Sequence, residues 1–113
     1  MNLLAHIYLS GEDDLVKIGN FIGDYVKGNQ YRKYRPLIKK GILLHRGIDT
    51  FTDDHPVPKQ VKPLLQPSYN KYAGIVIDIF YDHFLAVNWH QYSDTSLEFF
   101  VEDIEDITGV DCT

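Results

Sequence analysis

Residues 75–87, IVIDIFYDHFLAV, set ten apolar or aromatic residues around Asp78, Asp82 and His83. No other stretch limits the fold so tightly. A segment this apolar has to be covered, and an ionised carboxylate covered with no partner is costly, so the two acids demand a cation, a hydrogen-bond network or a raised pKa. Apolar residues run all the way round this segment, which predicts a buried central helix over about 70–91. Asp78 and Asp82, four apart, share one face of it, with His83 pointing about 100° away from Asp82. A polar network tying helices together would also place such residues here. Repulsion between two carboxylates favours something positive between them.

A second helix, predicted from Pro36 to about Thr52, supplies the complement. His45, Asp49 and Asp53 recur every four residues on the arc that carries Ile38 and Ile42. His45 and Asp49 form a chelating pair, and Asp78 and Asp82 opposite would complete a set of one nitrogen and three carboxylates. Such a mixed set suits Mn, Mg or Fe better than a thiophilic ion. An earlier helix is predicted from Asp14 to Lys27, capped by Asp13 or Asp14 and ended by Gly28. Within it Asn20 and Asp24 lie four apart, but spacing places Asp24 on the solvent side. Four of the five prolines fall at 56, 58, 63 and 67, so 54–68 reads as irregular, with one short helical turn near 59–65. The last helix is predicted over 96–108, with Thr95 and Glu98 in capping-box spacing, a stripe of Leu97, Phe100, Val101, Ile104 and Ile107, and a stop at Gly109. No stretch alternates like a strand, so an all-α fold is expected.

The 113 residues give room for one domain, 1–113. One cysteine, Cys112, can build neither a disulfide framework nor a cysteine-based zinc site. The opening residues lack the basic start of a secretory signal, and the apolar runs are far shorter than the roughly 20 residues of a membrane span, so a cytoplasmic protein without membrane contact is expected. The net charge of −5 is segregated. Seven basic residues and no acid lie between Tyr25 and Ile48, and seven acids with no Lys or Arg lie from Asp94 onward. The basic stretch is either a solvated face or a docking patch for an acidic partner or a phosphate. Phosphate-cradling Gly-rich loops, GxSxG, HExxH and paired CxxC are absent. Glu is missing between residues 13 and 97, which argues against a ferritin-like di-iron site.

Four blocks, NLLAH (2–6), GNFIGDYVKG (19–28), GILLHRGIDTFTDDH (41–55) and YAGIVIDIFYDHFLAVNW (72–89), together resemble the acyl carrier protein phosphodiesterases in order and spacing. The resemblance implies an all-helical, HD-like bundle. It also implies a divalent ion, commonly Mn, and hydrolysis of the phosphodiester joining phosphopantetheine to a serine of holo acyl carrier protein. It promotes Asp24 to an active-site carboxylate and supports His6, His45, Asp49, Asp53, Asp78, Asp82 and His83. On this reading His45, Asp49, Asp78 and Asp82 hold metal, while Asp24, His83, Asp53 and His6 are catalytic. Lys27, Arg32, Lys33, Arg35 and Arg46 would meet the acidic carrier, and nucleic acid is not an expected partner. Family members continue for several helices beyond this length, so the bundle is expected to be incomplete, with an apolar face open to homodimerisation or helix exchange. Two rival functions remain: an HD-type nucleotide or alarmone phosphohydrolase, and an inactive carrier-binding or self-associating module.

Overall fold

The computed structural model describes residues 3–109, and every regular element among them is helical. The α-helices are α1 (Leu3–Tyr8), α2 (Asp14–Ile22), α3 (Pro36–Asp54), α4 (Pro56–Tyr69), α5 (Ala73–Val87) and α6 (Leu97–Thr108). Asp13 starts α2 as the spacing predicts, its carboxylate accepting the N–H groups of Leu15 and Val16. The α-helix stops at Ile22 rather than Lys27, and a 3-10 turn, Gly23–Tyr25, follows. Gly23 lies against the ring of His45, an approach that a side chain at this position would block.

α2 and α3 form the closest helix pair, and glycines make it close. A β-carbon on Gly41 would stand against the Val16 carbonyl and 2.8 Å from the Asn20 nitrogen; one on Gly19 would lie 2.9 Å from the Gly41 α-carbon. With nothing between the backbones, Asn20, next to Gly19 on α2, and His45, one turn after Gly41 on α3, come within hydrogen-bonding reach. α1 crosses this pair and also packs on α5, burying Ala5, His6 and Ile7.

The proline-rich segment expected to be irregular is helix α4. Pro56 and Pro58 fall in its first turn, where backbone N–H groups have no partner within the helix, and the His55 side chain caps it by accepting from Val57. Pro63 and Pro67 do interrupt the ladder, and no residue of α4 is buried.

α5 also departs from expectation. It is apolar all round, yet only Ala73 and Ile77 are buried, and Ile75, Ile79, Phe80, Phe84 and Val87 are each more than half exposed. α1 and α4 are its main partners, and they cover one side. α6 is capped by Ser96, whose hydroxyl accepts from Phe99, and not by Thr95. The Thr95 carbonyl instead accepts the Trp89 indole N–H at 2.7 Å. Trp89 packs on Tyr8 and Phe100, and Lys17 pairs with Asp103 at 3.3 Å, which ties α6 to α1 and α2.

Candidate functional site

The glycine-mediated approach of α2 and α3, with α1 laid across them, gathers His6, Asn20, Asp24, His45 and Asp49. Asn20 is fully buried and satisfies three elements at once. Its amide nitrogen donates to the His6 carbonyl and to Ser10 Oγ, both at 2.8 Å, which fixes its side-chain oxygen toward His45 Nδ1 at 3.1 Å. The Asn20 carbonyl lies 2.9 Å from the same nitrogen. His45 Nδ1 therefore carries a proton and donates it.

On the other side of the ring, Nε2 faces Asp24 Oδ1 at 2.9 Å and Asp49 Oδ2 at 3.3 Å. Oxygen acceptors thus surround both ring nitrogens. With its proton on Nδ1 the ring turns the Nε2 lone pair on two carboxylates, a repulsion that a cation at that point would relieve. His6 stacks on His45 with ring centroids 3.9 Å apart and planes 10° from parallel, and its Nε2 lies 2.9 Å from Asp49 Oδ1. Among the described residues His6 Nδ1 is buried with no hydrogen-bond partner. Burial, followed by the charge of His45, lowers the His6 pKa.

His6, His45 and Asp49 each offer a ligand atom, and these atoms lie within 4.8 Å of one another. Ligand atoms about 2.0–2.2 Å from a shared ion stand roughly 3–3.5 Å apart; His6 Nε2 is 2.9 Å from one Asp49 oxygen and His45 Nε2 is 3.3 Å from the other, close to that spacing. The nitrogen and carboxylate donors also fit a borderline divalent cation.

Other expected site residues lie elsewhere. Asp24 keeps its side chain 77% exposed while touching His45, so it is both a surface acid and a member of the cluster. Asp82 is outside the cluster, its two oxygens accepting the backbone N–H groups of Leu4 and Ala5 at 2.9 and 3.0 Å. Asp53 and Asp78 line a cavity of about 370 Å³ between α3, α4 and α5, together with Thr52, Lys59 and Lys62. His83 is exposed on α5. Lys27, Arg32, Lys33 and Arg35 are exposed, whereas Arg46 is half-buried, donates to the Val26 carbonyl at 2.9 Å and lies over the Tyr31 ring. Asn20 was not among the expected site residues. Its signal was present as a polar residue four after Val16 on the buried face of α2.

Fold and cluster together define an all-helical protein with a histidine–carboxylate group able to hold a metal ion. The family described as acyl carrier protein phosphodiesterase matches residues 1–110, and the chain belongs to it. It is 39% identical over 103 residues to an acyl carrier protein phosphodiesterase of Yersinia enterocolitica, covering 90% of this chain and 53% of that protein. A second relative of that name, from Photorhabdus laumondii, is 42% identical over 89 residues, covering 79% of this chain and 45% of its own length. The chain thus spans about half the length of the curated relatives it matches. No solved structure matches. No described helix is long and apolar enough to cross a membrane.

Proposed function

We propose that this chain carries the metal-binding part of a phosphodiester hydrolase that acts on holo acyl carrier protein and releases phosphopantetheine from its serine. The observation that carries the proposal is the His45 ring, whose Nε2 is aimed at two carboxylates and backed by a donated Nδ1 proton. That is how a protein orients an imidazole toward a cation. His6, His45 and Asp49 would hold a divalent ion, Mn first, with Mg or Fe also suited to the donors. When bound, the ion supplies positive charge against the diester and makes a water acidic enough to attack at neutral pH. In the reaction water attacks phosphorus, the bond from phosphorus to the serine oxygen breaks, and that oxygen takes up a proton.

Asp24, exposed yet in contact with His45, stands where it can accept the proton of the attacking water. Asn20 fixes the His45 ring. The exposed cations Lys27, Arg32, Lys33 and Arg35 face solvent as a patch for the acidic carrier, where complementary charge speeds encounter. Asp53 and Asp78, which line one cavity with Lys59 and Lys62, would offer polar groups to the substrate's arm. His83, exposed on α5, is the remaining candidate for protonating the leaving serine.

The test is conversion of holo to apo carrier, followed by intact mass, with added Mn. We expect turnover that a chelator abolishes and that His45→Ala or Asp49→Ala lowers at least about 100-fold. Arg32, Lys33 and Arg35 changed together to Glu should slow the carrier and spare a small diester. Carrier binding with no turnover would favour the inactive-module reading. Turnover of nucleotides in place of the carrier would favour the nucleotide or alarmone reading. The open face of α5 gives a second part to the proposal, pairing of two copies of this chain.

A further inference from the structure

Asp82 was expected among the metal ligands, and its surroundings give it different work. It lies on α5, and both of its oxygens are engaged with the first turn of α1: Oδ2 accepts from Leu4 N at 2.9 Å and Oδ1 from Ala5 N at 3.0 Å. The first N–H groups of a helix have no acceptor within it, and the positive end of the helix dipole favours an anion there. Capping side chains normally come from the residue just before the helix, yet this one comes from 77 and 78 positions away.

α1 has six residues, too few to hold its own geometry in water. The residue after Ala5 is His6. Two N–H bonds to one carboxylate fix both the axial position of α1 and its rotation, and rotation decides where the His6 ring points. From Asn20 the His6 carbonyl receives a second anchor at 2.8 Å. Between these anchors His6 Nε2 meets Asp49 at 2.9 Å and its ring lies flat on His45.

We infer that Asp82 is a positioning residue: it clamps the start of α1 so that His6 is delivered to His45 and Asp49. This rests on the metal-centre reading above for its consequence, although the clamp itself can be measured without metal. In the metal-free full chain, nitrogen-detected NMR of the imidazoles reads the His6 tautomer. Wild type should show His6 locked with its proton on Nε2. In Asp82→Asn, where an amide oxygen can still accept one N–H, the signal should move toward solvent-averaged values, and in Asp82→Ala further. A wild-type His6 signal in both variants would overturn the inference whether or not metal binds.

Titration with Co(II), read by its visible absorption, supplies the second arm. D82N should weaken binding by about 10- to 100-fold, the usual effect of removing a residue that orients a ligand, and similarly to His6→Ala. Once His6 is Ala, adding D82N should change affinity less than twofold. A further full-size loss in that double variant would make Asp82 a ligand in its own right and overturn the inference. Ser96→Ala, which removes the cap of α6, controls for lost stability and should leave both readouts unchanged. If it shifts them as much as D82N does, the effect is general loosening and the inference fails. A wild type that binds no Co(II) defeats the metal reading alone, and the tautomer measurement still decides the clamp.

Discussion

The His6 ring is buried at 1% exposure, and its pKa lies below 6.5 because burial and then the charge of His45 disfavour the imidazolium. The unfolded chain, with the ring near 6.5, therefore binds more protons between the lowered folded value and 6.5. The stability this residue contributes is complete above pH 6.5 and is lost as pH falls through the folded pKa. Denaturant midpoints of the metal-free protein should drop from pH 7 toward pH 5, and His6→Gln should flatten that drop; an identical slope in the variant would refute the assignment. At this scale the sequence was partly legible. His45 and Asp49 announce themselves by spacing on an apolar arc. His6 does not, since one histidine in a short N-terminal segment has no period, and only the family resemblance drew attention to it. Asp82 was legible as a carboxylate needing a positive partner, but backbone N–H groups and a metal ion satisfy that need equally well, and composition does not choose between them.

At the scale of elements, glycine and proline carry opposite lessons. Gly41→Ala puts a methyl group against the Val16 carbonyl at the crossing of α2 and α3. The helices must separate, so we expect a loss of about 3 kcal/mol and weaker metal binding, because Asn20 and His45 move apart. A variant with unchanged unfolding free energy would show that the crossing is looser than described. Pro63→Ala should do the reverse. It restores an N–H inside exposed α4 and should stabilise that helix by about 1–3 kcal/mol, seen as slower hydrogen exchange across residues 56–69. The positions of α3 and α6 followed from apolar period with Pro36 at the start of one and Gly109 at the end of the other, and that of α5 from its apolar run. α4 did not, because a proline count cannot tell the first turn, which tolerates proline, from the interior. The early end of α2 was also hidden, since the close approach of His45 to Gly23 joins residues 22 positions apart and leaves no local signal.

Across the whole molecule, the radius of gyration is 14.9 Å, against about 13 Å for a compact chain of this length. Ile79, Phe80 and Phe84 stand open on α5, and continuous apolar surface of this kind marks contact sites. Sedimentation should show association that grows with concentration. Changing Ile79 and Phe80 to Ser should shift the population to monomer without altering Co(II) affinity, and a monomeric wild type at high concentration would reject the pairing. The all-helical class was legible from period alone. The bare side of α5 was not legible from periodicity, because a helix apolar all round looks the same whether or not neighbours cover it. The bond between Asp82 and Leu4 closes a loop across 78 positions of chain. Such a closure costs much of the chain's freedom before any contact rewards it. The cluster of His6, His45 and Asp49 should therefore be among the last features acquired in folding and the first surrendered in partial unfolding, and under the proposed function cobalt colour would gauge how far a nascent or damaged copy has matured.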